Sequence, residues 1–158
     1  MAEQAQNPGM PTPDPSLKAL DKFVGTWSMS GNLVGADEEI LKGKATFEWL
    51  PGGFFLKQQV KMTFMGMPIE STELVDYDPE TKGLKSFVYS NMSPMPLPYF
   101  WKVDGDNIEI SVSYGPLNAT MTAKFSEDGE SYSGGWRPNP GADTNVNVPY
   151  DIRGKKEK

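Results

Sequence analysis

Residues 99–125 read YFWKVDGDNIEISVSYGPLNATMTAKF, and this stretch decides the fold class. Tyr99, Trp101 and Val103 alternate with Phe100 and Lys102 until Asp104-Gly105-Asp106-Asn107 reverses the chain. Ile108, Ile110, Val112 and Tyr114 then alternate with other residues as far as Gly115-Pro116. Leu117, Ala119, Met121, Ala123 and Phe125 repeat the pattern. A period of two places each apolar set on one face of a strand, and Gly or Pro between the runs marks tight turns. Strands joined by tight turns pair antiparallel with their neighbours.

The same rhythm extends in both directions. Upstream, Trp27, Met29, Gly31 and Leu33 share one face, as do Ala45, Phe47 and Trp49. Pro51-Gly52-Gly53 turns the chain into a long strand bearing Phe54, Leu56, Gln58, Val60, Met62 and Phe64 on one side. After Met65-Gly66-Met67-Pro68 come Ile69, Ser71, Glu73, Val75 and Tyr77 in one register. The segment from Asp78-Pro79 to Gly83 is turn chemistry. A strand over Leu84–Asn91 precedes a loop rich in Met and Pro at residues 91–98. Downstream, strands are expected over Ser131–Arg137 and Val146–Arg153. Ahead of them all, Asp14 caps a short helix with Pro15 in its first turn, and Leu17, Leu20, Phe23 and Val24 form its apolar side.

About ten short strands in a meander leave two long open edges unless the sheet closes on itself. The expected fold is therefore all-β: an up-and-down antiparallel barrel of about ten strands, with the helix plugging one end. A two-sheet sandwich is the competing architecture. Barrels of this strand number are wide enough to hold an internal cavity. The expected organisation is a disordered tail over residues 1–13, one barrel domain over 14–153, and a mobile tail over 154–158.

Composition narrows the chemistry. The chain of 158 residues has no Cys and no His. That removes thiolate chemistry, disulfides, the Ser-His-Asp triad and His-ligated haem or zinc. A net charge of −6, from 15 Lys+Arg against 21 Asp+Glu, disfavours a nucleic-acid backbone or an anionic membrane surface as partner. No apolar run is long enough to span a membrane, and residues 1–15 lack the basic and apolar regions of a secretory signal, so a cytoplasmic protein is expected. Asp76-Tyr77-Asp78-Pro79-Glu80 lacks the ligand spacing of a calcium loop and reads as a turn. No metal site is expected.

The helix running into Gly25-Thr26-Trp27 resembles the Gly-x-Trp signature of lipocalin-like (calycin) barrels. Leu50-Pro51-Gly52-Gly53-Phe54-Phe55-Leu56, Met65-Gly66-Met67-Pro68 and Asp76-Tyr77-Asp78-Pro79 with Lys82 resemble more closely a bacterial family known only as a domain of unknown function, with the same kind of barrel. The resemblance runs from about Leu17 to Arg153. It implies that Trp27 packs at the closed end beneath a late arginine, for which Arg153 is the better match and Arg137 the other candidate. The nitrobindin-like barrels are more distantly similar; they bind haem through a His, which this chain lacks, so no haem is carried over and no cofactor is expected.

The leading functional reading is a binder of a small hydrophobic or amphipathic molecule inside the barrel. Its expected lining is Phe54, Leu56, Gln58, Val60, Met62 and Phe64, with Tyr99, Trp101, Ile110, Val112 and Met121 around the wall. Met62, Met65, Met67, Met92 and Met95 suit such a role because methionine adapts its shape. Glu73 is the candidate for acid–base chemistry, since a buried carboxyl has a raised pKa. It supports a second reading, a small isomerase or cyclase. A third is a non-catalytic module that forms a homo-oligomer through exposed apolar residues.

Overall fold

The computed structural model describes residues 9–158. A nine-residue 3₁₀ helix, Pro15–Phe23, leads into ten strands. They are β1 (Gly25–Leu33), β2 (Glu39–Trp49), β3 (Leu56–Phe64), β4 (Met67–Asp78) and β5 (Gly83–Ser90). There follow β6 (Leu97–Asp104), β7 (Asn107–Tyr114), β8 (Leu117–Phe125), β9 (Ser131–Pro138) and β10 (Tyr150–Lys156). Every strand pairs antiparallel with its sequence neighbour, and β1 pairs with β10 to close the barrel. The sandwich alternative is excluded by that closure. Of the tail expected over 1–13, residues 1–8 lie outside the described residues, and residues 10–13 join neither helix nor strand.

Turn chemistry sets the registers. Phe64 pairs with Met67 across the two-residue turn Met65-Gly66, whose φ angles are 50° and 81°. Positive φ at both central positions is the geometry whose twist matches an antiparallel hairpin, and Gly66 meets it without a Cβ penalty. At the opposite end of β4, Asp78 organises its own turn. Its carboxylate accepts from the Glu80 amide at 3.1 Å and the Thr81 hydroxyl at 3.0 Å. Those oxygens are used locally, as a turn rather than a calcium loop requires.

The helix winds as 3₁₀ rather than α, and the sequence explains why. Its buried residues are Leu17, Leu20 and Phe23, spaced strictly by three. Three residues per turn puts them in one line. Asp14 caps the helix by accepting from the Ser16 amide at 2.9 Å. Burying side chains such as Leu17 and Leu20 contributes about 1.5–3 kcal/mol each.

That line of side chains forms the barrel floor. Phe23 meets Phe47 at 5.3 Å, Trp101 at 5.5 Å and Phe125 at 5.0 Å between ring centroids. Trp27, fully buried, donates its indole N–H to the Phe23 carbonyl at 2.8 Å and packs on Phe125 and Tyr132. Trp49 donates to Asp21 at 2.8 Å, and Lys22 pairs with Asp106 at 2.7 Å. Polar anchors on two sides thus fix the plug over an aromatic core.

The cation over Trp27 is Lys156, 5.4 Å from the ring, and not Arg153. Arg153 lies on the outer wall, where it donates to the Asn32 side chain at 2.7 Å. Alternation is the reason: Ile152 and Gly154 point inward, so Arg153 between them points out. Arg137 also lies outside, paired with Asp151 at 2.7 Å. Strand β10 begins at Tyr150 and continues to Lys156, beyond its expected end at Arg153, so Gly154–Lys156 belong to the sheet and not to a tail.

Candidate functional site

The interior has two levels. Near the helix the inward side chains are sealed: Leu56, Val75, Trp101, Ile108 and Phe125 are all buried. Toward the other end, Met62, Phe64, Ile69, Val88, Leu97, Tyr99, Trp136 and Tyr150 alternate inward yet are only partly buried. Inward-facing side chains that keep solvent contact mark an open end, opposite the plug.

Glu73 sits at the boundary between the two levels. It lies on β4, across from Gln58 on β3 and Val88 on β5. Its oxygen Oε2 accepts from the Ser86 hydroxyl at 2.5 Å and from the Trp101 indole at 3.1 Å. The Trp101 N–H also reaches Ser86 Oγ at 3.0 Å, closing a triangle. Among the described residues, the second oxygen, Oε1, accepts nothing, and it is not one of the fully buried atoms lacking a partner. Glu73 therefore has one oxygen anchored and one without a hydrogen-bond partner, on a side chain that alternation turns inward. Burial pushes its pKa up to about 7, against the lowering effect of the Ser86 and Trp101 bonds. Tyr99 lies close enough that burial and then the Glu73 charge raise its pKa to about 12.

Above Glu73 the lumen is narrowed by rings. Phe64 on β3 meets Tyr150 on β10 at 5.0 Å, and Tyr99 on β6 meets Trp136 on β9 edge-on at 6.0 Å. These strands are not neighbours, so both contacts cross the interior. Trp136 and Tyr150 are directly paired between β9 and β10, which brings the two ring pairs side by side. Exposed Met65, Met67, Met92 and Met95 lie in or beside the two connections at the same end. The 91–96 connection is pinned to β4: Asn91 accepts from the Glu70 amide at 2.9 Å and donates to the Pro68 carbonyl at 2.9 Å. Two clefts of about 820 Å³ each lie elsewhere, lined chiefly by outward-facing residues such as Lys42, Lys44 and Arg153 in one and Gln59, Lys61 and Tyr89 in the other.

The residues expected to line a ligand divide between these levels. Met62, Phe64, Tyr99 and Val112 lie in the open half. Val60, Gln58, Ile110 and Met121 lie at mid-height, all but Gln58 buried. Leu56 and Trp101 belong to the floor, where Trp101 touches the plug through Phe23. Phe54 is displaced from the lining altogether. It precedes β3 in the connection at the plugged end, with its ring 6.5 Å from that of Phe55. The Leu50 amide bonds the Phe55 carbonyl at 3.0 Å, so the turn extends through residues expected to begin the strand.

Ser86, Trp136 and Tyr150 were not singled out by the sequence. Ser86 alternates with Leu84 and Val88, and Tyr132 with Trp136, so the alternation carried a signal for both. A small hydroxyl on an apolar face is the sequence signal that points to a buried polar partner.

Comparison with known proteins agrees with this architecture. No curated protein matches the sequence. The crystal structure of Rv2717c from M. tuberculosis superimposes with a TM-score of 0.57 at 15% identity, covering 92% of this chain and 99% of that one. At that identity the likeness is one of fold. Among the described residues, no helix is long and apolar enough to cross a membrane. The model of the family described as "Protein of unknown function (DUF1579)" matches residues 12–113, most of the chain, and the protein belongs to that family.

Proposed function

We propose that the open half of the barrel binds a small molecule with an apolar body, and that Glu73 supplies its polar contact. One observation carries this reading: Glu73, inward on β4, has one carboxylate oxygen without a hydrogen-bond partner, and the neutral polar groups beside it are Ser71, Gln58 and Ser86 among apolar and aromatic side chains. A buried carboxyl with spare hydrogen-bonding capacity is costly to a structural core and useful to a ligand site. The rings that cross the lumen give broad contact area and can part around a guest, and the methionines at the rim are pliable. The lack of Cys supports a cytoplasmic setting.

The test is saturable binding of a neutral naphthylamine dye. A one-to-one fluorescence increase, reversed by long-chain alcohols and weakened in Tyr99→Ala, is the expected result. Binding that is non-saturable, or unaffected by lumen substitutions, contradicts the reading.

The acid–base alternative draws on the same residue. A carboxyl with pKa near neutrality can take or give a proton at cellular pH. Isotope exchange into a bound carbonyl compound, lost in Glu73→Gln, tests it.

A further inference from the structure

The chemistry of the ligand's polar group follows from what faces Glu73, and this inference rests on the binding reading above. Among the described residues, Glu73 is the one charged side chain that alternation turns into the lumen above the floor. The inward-facing lysine of β10, Lys156, is at the opposite end, over Trp27. Among the described residues, none turns a cation into the open half toward a carboxylate or phosphate guest.

The rings supply a complementary feature. Phe64–Tyr150 and Tyr99–Trp136 are two ring pairs on the mouth side of the carboxyl, brought side by side by the cross-strand pairing of Tyr150 with Trp136. Aromatic faces carry negative potential and attract cations, most strongly where water is excluded. A carboxylate beneath these rings is therefore a cation-selective arrangement. The geometry points to a lipophilic ammonium as the ligand class: a protonated or quaternary amine seated among these rings beside Glu73 Oε1, with its apolar chain along Met62 and Val112.

The pH response follows. Tyr99 faces Glu73 from β6, with Tyr150 beyond it on β10 and Tyr132 at the floor on β9; burial raises the pKa of all three, so they stay neutral through physiological pH. Gln58 and Ser86 on the flanking strands do not titrate, and Lys156 lies at the floor. Glu73 is then the group whose ionisation governs cation binding near neutrality.

Three probes of equal chain length separate the outcomes: octyltrimethylammonium, octanol and octanoate, titrated calorimetrically into the full-length protein. The ammonium is expected to bind at least about ten-fold more tightly than octanol at about pH 8, with octanoate weakest. Its affinity is expected to fall about ten-fold between about pH 8 and about pH 6. Glu73→Gln, which keeps an acceptor for Ser86 and Trp101, should remove that pH dependence and bring the ammonium close to octanol. Trp136→Leu should also lower the ammonium preference. Octanol or octanoate binding as well as the ammonium, or a pH-independent preference retained in Glu73→Gln, overturns the ammonium assignment and leaves the binding reading standing. Binding of none of the three overturns both.

Discussion

The Ser86 hydroxyl donates to Glu73 Oε2 at 2.5 Å, across the β4–β5 pair and inside the barrel wall. The two are diagonal rather than direct partners, since Ser86 opposes Val75 and Glu73 opposes Val88. The Trp101 indole completes the anchor from β6. Three strands thus converge on one oxygen, and the other is left without a hydrogen-bond partner.

Burial of Glu73 makes stability depend on pH. Its pKa rises from the ordinary 4.5 to about 7 on folding. Between those values the native state holds a proton that the unfolded chain has released, so stability falls as pH rises through about 7 and is fully present below about 4.5. At 1.36 kcal/mol per unit, the loss is about 3 kcal/mol. Glu73→Gln should therefore gain about 3 kcal/mol relative to the wild type between about pH 4 and about pH 8. Urea unfolding at several pH values measures this, and a constant difference contradicts it.

Removing the Ser86 hydroxyl should move the same titration. Ser86 lowers the Glu73 pKa by stabilising the carboxylate. In Ser86→Ala the midpoint should rise above its wild-type value, as followed by carboxyl-carbon NMR. A midpoint unchanged or lowered would separate the two groups.

The floor assignment yields a contrast. Trp27→Ala removes a fully buried indole from the floor and should cost about 3–5 kcal/mol. Lys156→Met removes the cation over the indole and should cost about 0.5–1 kcal/mol. Arg153→Ala, outside the wall, should stay within about 0.5 kcal/mol of wild type. Thermal unfolding ranks the three, and a larger loss at Arg153 than at Lys156 would restore the arginine to the floor.

The legible and illegible parts of this molecule divide along physical lines. Alternation at Ile108–Tyr114 and Leu117–Phe125 reads directly, because one face is buried and the other wet. The inward register of Glu73 follows from Ile69, Val75 and Tyr77 beside it. β9 reads to within one residue, whereas β10 is displaced at both ends because Gly154 interrupts its apolar face. At Gly154 the Tyr132 ring occupies the space a Cβ would need, so glycine there is a packing requirement that mimics a strand end. The Glu73–Ser86–Trp101 triangle was hidden for another reason. It joins diagonal neighbours across three strands, and such contacts depend on barrel stagger, which no single strand encodes.

The Gly154 contact is testable by itself. Gly154→Ala should destabilise by about 2 kcal/mol or more through overpacking against Tyr132. Tyr132→Ala in the same chain should make that substitution much less costly, since the clashing ring is gone. Additive losses in the double-mutant cycle would place the strain elsewhere.

The methionines provide the most direct test of the lumen as a binding chamber. Met62 and Met121 face inward, whereas Met65, Met67, Met92 and Met95 are exposed at the mouth end. With methyl-labelled methionine, titration with octanol should shift the Met62 and Met121 resonances saturably and at one stoichiometry. Saturable shifts confined to the four exposed methionines, with Met62 and Met121 unmoved, would contradict a ligand inside the barrel.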